Sequence, residues 1–404
     1  MKQAFLVSEC VCPNATIAGA VVVVEESKIV AVGPKSEIDV PGGCAVVDLG
    51  DAVLAPGFVD IHIHGGGGHD VMEGDPDALA AIERHLAKHG TTTYFPTTVT
   101  AAIDPTLKAL EKLADAIEAA AGPTSAKGGQ IWGTNGESGK KGELRARPMG
   151  IHLEGPFISR EKRGVHPPEH IKDADLALFE RMWQAARGHV KVMTVAPEIP
   201  GGEELIREAT RRGVTISLGH SNATQDQAQR GIDAGGRHAT HTFNAMRPLD
   251  HREPGIIGTL LTNEHVTAEM IIDGVHVDPT IVRLFLKAKG KDGAVLVTDG
   301  ISATGMPDGR YHLGGFEVEV KGDTCLSHDG RLAGSVLTLD RAVRNVMSFG
   351  GWKLEDAVGL ATRNPARTVG ICERKGVIAA GADADFVVLS KTGELMKTIV
   401  AGIG

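Results

Sequence analysis

Between residues 58 and 298, short β-branched apolar runs alternate with longer amphipathic stretches, and this alternation narrows the possible folds most. The runs at 58–64, 91–95, 149–153, 190–195, 214–219, 238–242, 267–273 and 294–298 read as buried strands. Helical periodicity fills gaps between them at 76–89, 105–121, 173–187, 202–212, 224–234 and 279–289. Eight strands alternating with helices predict an α/β chain built as a (β/α)8, TIM-like barrel. Outside it the texture changes. Short strand-like runs at 20–24, 28–32 and 45–49 are matched near the other end by 376–378, 384–389 and 397–400. Both ends are therefore expected to join in one small β domain, a β-sandwich. The expected division is 1–55 and 376–404 for that domain, with 56–375 as the catalytic barrel.

The barrel expectation says where chemistry belongs, because in this architecture the working residues sit at the C-terminal ends of strands. The first run ends in His62-Ile63-His64 and then Gly65-Gly66-Gly67-Gly68. Two residues apart on a strand, both imidazoles face the same side, which makes half of a metal site. Glu154 follows the third run and His220 the fifth; His241 lies in the sixth, His276 follows the seventh and Asp299 the eighth. A histidine that only packs falls anywhere along a strand, so six of eight ends carrying ligand-type groups point to a metal centre.

Composition excludes several alternatives. A net charge of −9 with no long basic run argues against a nucleic-acid surface. No apolar run reaches the roughly 18 residues of a membrane helix, and no signal peptide is evident, so no membrane partner is expected. Cys10, Cys12, Cys44, Cys325 and Cys372 form an odd, scattered set that fits reduced thiols in a cytoplasm. Cys10-x-Cys12 reads as strand packing rather than a ligand pair.

Several stretches together carry a likeness. They are Pro56-Gly57-Phe58-Val59-Asp60-Ile61-His62-Ile63-His64-Gly65, Gly150-Ile151-His152-Leu153-Glu154-Gly155-Pro156-Phe157, Leu218-Gly219-His220-Ser221 and Ala239-Thr240-His241-Thr242-Phe243-Asn244-Ala245-Met246. Arg252-Glu253-Pro254-Gly255, Asp273-Gly274-Val275-His276 and Val297-Thr298-Asp299 complete the set. In this order, over essentially the whole chain, they resemble the amidohydrolase superfamily in its branch of N-acetylglucosamine-6-phosphate deacetylases. The resemblance implies that Glu154, His220 and His241 bind one divalent metal and that His62 and His64, with Glu154 as a bridge, hold a second. One or two ions per subunit follow, of the Zn, Fe, Co or Mn type that imidazole and carboxylate suit.

The expected reaction is removal of acetyl from N-acetylglucosamine 6-phosphate, leaving glucosamine 6-phosphate and acetate. Amide hydrolysis needs a nucleophile, a polarised carbonyl and a proton for the leaving amine. A divalent ion lowers the pKa of water toward ~7 and polarises the carbonyl. Asp299 is placed to take the water's proton and pass it on, though an Asp before Gly300 also suits a ligand or a turn. His276 is expected to hydrogen-bond the carbonyl oxygen. For the phosphorylated sugar, Asn244 and Ala245 offer main-chain donors and Arg252 a forked guanidinium. The resemblance implies that Arg252 reaches the neighbouring subunit's site, hence a homodimer, and that His166 contacts the sugar. His69, His85, His89, His170, His189, His251, His265, His312 and His328 are read as surface or packing residues.

Two departures from the family stand out. Residues 122–147 hold seven glycines between Gly122 and Gly142 and read as a mobile loop, with Trp132 part of it rather than a cap over the sugar. Gly300-Ile301-Ser302-Ala303-Thr304-Gly305 also differs in detail. The competing readings are N-acetylgalactosamine 6-phosphate as substrate, a cyclic-amide hydrolase, or a non-enzymatic scaffold. Cyclic-amide relatives typically use a carboxylated lysine where Glu154 stands. Retention of all five metal-type residues plus Asp299 argues against the scaffold.

Overall fold

In the computed structural model, which describes residues 2–121 and 143–404, eight parallel strands pair in sequence order. They are Phe58–Ile63, Thr91–Thr98, Ile151–Glu154, Val190–Val195, Thr215–Leu218, Gly236–Ala239, Thr267–Met270 and Ala294–Leu296. Each falls on one of the expected runs. The last strand meets the first across a seam held by the parallel bridge of Ile63 with Gly300. Asp299 N–H donates to His62 O at 2.9 Å and His64 N–H to Gly300 O at 2.8 Å, so the barrel is nearly closed. The first three strands are buried along their whole length, as parallel strands covered on both faces must be.

Helices follow every strand. The expected ones appear as Pro76–Lys88, Ile103–Ala121, Leu176–Ala185, Gly202–Arg211, Gln225–Ala234 and Pro279–Gly293. Gly255–Thr262 and Leu339–Gly350 follow strands six and eight. Their starts obey local chemistry: Asp75 caps Asp77 N, and Thr224 forms a capping box with Gln227. Their apolar faces and the strands share one core in which Phe58, Phe95, Phe179 and Phe285 are fully buried, each worth roughly 1.5–3 kcal/mol.

Both chain ends meet in one seven-stranded mixed sheet. Its order is Leu395–Ile399, Phe386–Leu389, Val53–Pro56, Lys2–Val11, Thr16–Glu25, Lys28–Pro34, with Ala45–Asp48 beside Lys2–Val11. Alternation lets single strands serve two cores. Leu54, Phe386 and Val388 join a separate cluster with Phe5, Cys10 and Val22, whereas Val53, Val387 and Leu389 face the barrel core. Cys10 is buried there, its Sγ 3.7 Å from that of Cys12, in keeping with packing.

One element went unread in the sequence. Between strand eight and its helix, Gly309–Leu313, Phe316–Lys321 and Thr324–Ser327 form an antiparallel sheet with its own small core. It is tied to the loop after strand one, where Asp70 accepts from Gly314 N at 2.7 Å. Of the long segment 122–147, residues 122–142, Trp132 among them, lie outside the described residues. Arg145 pairs with Glu143, and Arg147–Pro148 runs beside strand two. Among the described residues no helix is long and apolar enough to cross a membrane.

Candidate active site

The strand ends deliver their side chains to one buried point. Alternation sends His62 and His64 to the same face, and the chain then turns tightly against the strand-eight loop. Only glycine fits at 65, where a Cβ would lie 2.3 Å from His69 O and 2.9 Å from Ser302 N. Glu154 ends strand three; His220, His241 and Asp299 lie just beyond strands five, six and eight. His220, Ala245 and Asp299 have φ of 44°, 50° and 50°, a conformation that costs side-chain-bearing residues and clusters where function dictates direction.

Three donor atoms stand almost equidistant. Glu154 Oε1, His220 Nε2 and His241 Nε2 are each 3.1 Å from the other two. On the other side, His64 Nε2 is 3.3 Å from Glu154 Oε2 and 3.1 Å from Asp299 Oδ1. His62 Nε2 is buried without a hydrogen-bond partner among the described residues, with Glu154 Oε1 and Asp299 Oδ1 each 3.4 Å away. Asp299 thus stands within ligand range of the histidine pair as well as in reach of a reacting group.

The second nitrogen of each ring reveals which face is a lone pair. A carbonyl only accepts, so His64 Nδ1–H donates to Thr97 O at 2.9 Å and His220 Nδ1–H to Lys162 O at 3.0 Å. His62 Nδ1 faces the carboxylate of Glu269 at 2.9 Å. All three rings therefore hold a proton on Nδ1 and turn Nε2 to the cluster, the orientation that metal ligands need. His166 is reversed: Thr100 N–H donates to its Nδ1 at 3.2 Å, so the neutral ring carries its proton on Nε2, 3.3 Å from Glu154 Oε2. That makes His166 a hydrogen-bond donor in the site. His241 Nδ1 is buried without a partner among the described residues.

Burial by itself pushes carboxyls up and imidazoles down. At Glu154 burial is overcome by His62 and His220, which with His166 hold its carboxyl well below the usual range. At Asp299 burial likewise loses to the His64 contact and the neighbouring rings, and the carboxyl is lowered. His64 resists burial through Asp299 and Glu154 and is raised to about 10. His220, where burial is joined by repulsion from His166 and His241, falls to about 4.

Glu154, His166, His220, His241, Asp299, Asn244, Ala245 and His276 share a cavity of about 150 Å³ with Val165, Ile271, Leu313 and Leu332. Leu313 and Leu332 come from the unforeseen insertion. Asp273 holds His276 by accepting its Nδ1–H at 2.7 Å, so the ring donates from Nε2 as well only when doubly protonated. Asn244 N–H donates to His241 O at 3.0 Å, which leaves Ala245 N–H as the main-chain donor of that pair. Arg252 is exposed, outside this cavity, with no ion pair among the described residues. Glu269 was missed altogether, although a carboxylate inside the apolar run 267–273 was a readable signal.

Known proteins resemble this chain over most of its length. Residues 53–403 match the pattern of the amidohydrolase family. An N-acetylglucosamine-6-phosphate deacetylase of Bacillus subtilis (strain 168) is 35% identical over 404 residues, covering 100% of this chain and 97% of that one. The Homo sapiens protein of the same name is 38% identical over 368 residues, 88% of this chain and 84% of its own. A solved structure of a point mutant of N-acetyl-D-glucosamine-6-phosphate deacetylase from Mycobacterium smegmatis, in complex with N-acetyl-D-glucosamine-6-phosphate, is 34% identical. It covers 99% of this chain and 98% of that one, with a TM-score of 0.88.

Proposed function

The chain belongs to the amidohydrolase family, and from that membership we propose its reaction. It is a hydrolase that removes the acetyl group from N-acetylglucosamine 6-phosphate, giving glucosamine 6-phosphate and acetate. The observation that carries this reading is the buried cluster at the mouth of the barrel, where imidazole lone pairs and two carboxylates converge on the cavity.

The residues fit a divalent cation. His62 Nε2 is buried and has no hydrogen-bond partner among the described residues, and the His220 Nε2 lone pair lies 3.1 Å from both Glu154 Oε1 and His241 Nε2, a donor set that suits a cation. Glu154, His220 and His241 would hold one ion; His62 and His64, with Glu154 bridging, would hold a second. Zn, Fe, Co or Mn suits this donor set. When bound, the cation lowers the pKa of water and polarises the acetyl carbonyl.

The chain does the rest. Asp299 takes the proton of the attacking water on its carboxylate and returns it to the leaving nitrogen. His276, its ring oriented by the Nδ1 contact with Asp273, is placed to hydrogen-bond the carbonyl oxygen as negative charge develops there. His166 offers its Nε2–H to a sugar hydroxyl, and Asn244 with Ala245 meets the phosphate. Arg252, exposed on its own subunit, reaches the phosphate of a partner in a homodimer. A cytoplasmic setting is part of the same reading and rests on the scattered free cysteines.

Acetate release should be measured against N-acetylated hexosamines with and without a 6-phosphate. N-Acetylglucosamine 6-phosphate should turn over fastest, and preference for the galacto epimer would overturn the assignment.

A further inference from the structure

Strand seven carries one charged side chain, and it points away from every role assigned so far. Glu269 is fully buried in the sequence Thr267-Ala268-Glu269-Met270. An unpaired carboxylate there would be costly, yet its surroundings are all donors. His62 Nδ1 lies 2.9 Å from Oε2, His241 backbone N–H donates to the same oxygen at 3.1 Å, and His238 Nε2 lies 2.9 Å from Oε1. Behind His238 the polarity runs one way. Thr368 Oγ1–H donates to Thr267 Oγ1 at 3.1 Å, and Thr267 Oγ1 stands 2.7 Å from His238 Nδ1. The Thr267 hydroxyl has two acceptors in reach, His238 Nδ1 at 2.7 Å and Arg237 O at 3.4 Å, and donation along the shorter contact keeps the His238 proton on Nε2, toward Glu269. The carboxylate is thus the terminal acceptor of two hydrogen-bonded arms, one of which ends on His62.

We propose that Glu269 is the positioning residue of the His62/His64 half of the metal centre, acting through His62. By accepting Nδ1–H it fixes the tautomer whose lone pair, on Nε2, faces Glu154 and Asp299. It touches no reacting atom and lines no part of the cavity. Its contact with the other half is through the main chain of His241 alone, so its influence there is small. This inference rests on the two-ion reading above.

Metal binding separates the two claims without measuring turnover. Apoprotein prepared with a chelator is titrated with Zn²⁺ against a chromophoric competitor. Wild type should take up two equivalents and His62→Asn with His64→Asn one. Glu269→Gln keeps the shape but turns one acceptor face into a donor, and it should weaken one equivalent about 10–100-fold, the usual worth of an outer partner. The other equivalent should move less than about threefold, a retention that also reports a folded site. Added to the His62→Asn, His64→Asn protein, Glu269→Gln should change nothing. His238→Gln, which still donates to Oε1, should leave both equivalents in place.

Weakening of both equivalents together, persistence of the loss without His62 and His64, or an equal loss in His238→Gln would overturn the positioning role. A wild type that binds a single equivalent would overturn the two-ion reading and this inference with it. If Glu269→Gln does not fold, ¹⁵N-histidine spectra of the zinc-loaded wild type decide. His62 should keep a slowly exchanging Nδ1–H, and a proton on its Nε2 would refute the assignment.

Discussion

Asp299 and Lys375 are both buried charged residues, but their surroundings are finished differently. Lys375, 2% exposed in the seam between barrel and terminal sheet, reaches Asp385 at 2.5 Å and Asp383 at 3.0 Å. Asp385 spends its other oxygen on Ala401 N–H at 2.7 Å, and Asp383 also pairs with Arg374 at 3.2 Å. Every charge there has a partner inside the fold. At the mouth of the barrel, His62 Nε2 and His241 Nδ1 stay buried and unpartnered among the described residues, and Asp299 sits at φ 50°. A seam that only holds closes its own hydrogen bonds, whereas a site that acts keeps some open for what it binds.

This contrast can be broken from either side. The largest effect expected is at Asp299. Asp299→Asn should lower kcat about 10²–10⁴-fold while metal content and substrate affinity persist, the worth of a positioned proton transfer. Loss of metal by that variant would make Asp299 a ligand first and move it toward the closed kind of site.

Lys375→Met leaves Asp385 without its cation, while Asp383 keeps Arg374 and Lys28, and should destabilise the fold by about 3 kcal/mol, seen in urea or thermal unfolding. The protein that remains folded should keep its metal stoichiometry and kcat. A loss of catalysis without a loss of stability would show that the seam and the mouth are not separable.

The smallest effect concerns Arg252. Arg252→Ala should raise KM for the 6-phosphate substrate about ten- to a hundredfold, since one charged hydrogen bond is worth roughly 1.5–3 kcal/mol. It should matter far less for the unphosphorylated sugar. Mixing Arg252→Ala with Asp299→Asn subunits should restore about one good site per mixed dimer, with the base from one chain and the arginine from the other. Inactive mixed dimers would place Arg252 within its own subunit or outside the reaction.

Much of this was legible in the residue order because it depends on short periods. A strand alternates its faces every residue, so His62 and His64 had to share one, and a barrel strand's last residue had to reach the rim, where Glu154 stands. The eight runs appeared as strands for the same reason. The antiparallel insertion was readable in part, since Phe316–Lys321 alternates between exposed and buried residues, but nothing local says that its Leu313 would turn over the cavity. That placement is made by Asp70, which holds Gly314 N from 244 residues away.

The composition of the centre was therefore decided by sequence: which residue types stand at which strand ends, and hence which chemistry they suit. Its polarity was decided by tertiary structure. Whether an imidazole offers a lone pair or a proton depends on what its far nitrogen meets. For His62 that partner is Glu269, 207 residues on, and for His220 it is the Lys162 carbonyl, 58 residues back. The same ring in His166 meets the Thr100 N–H and turns into a donor. A histidine's identity lies in the chain, but its tautomer lies in its neighbours, and those neighbours are brought together only when the barrel closes.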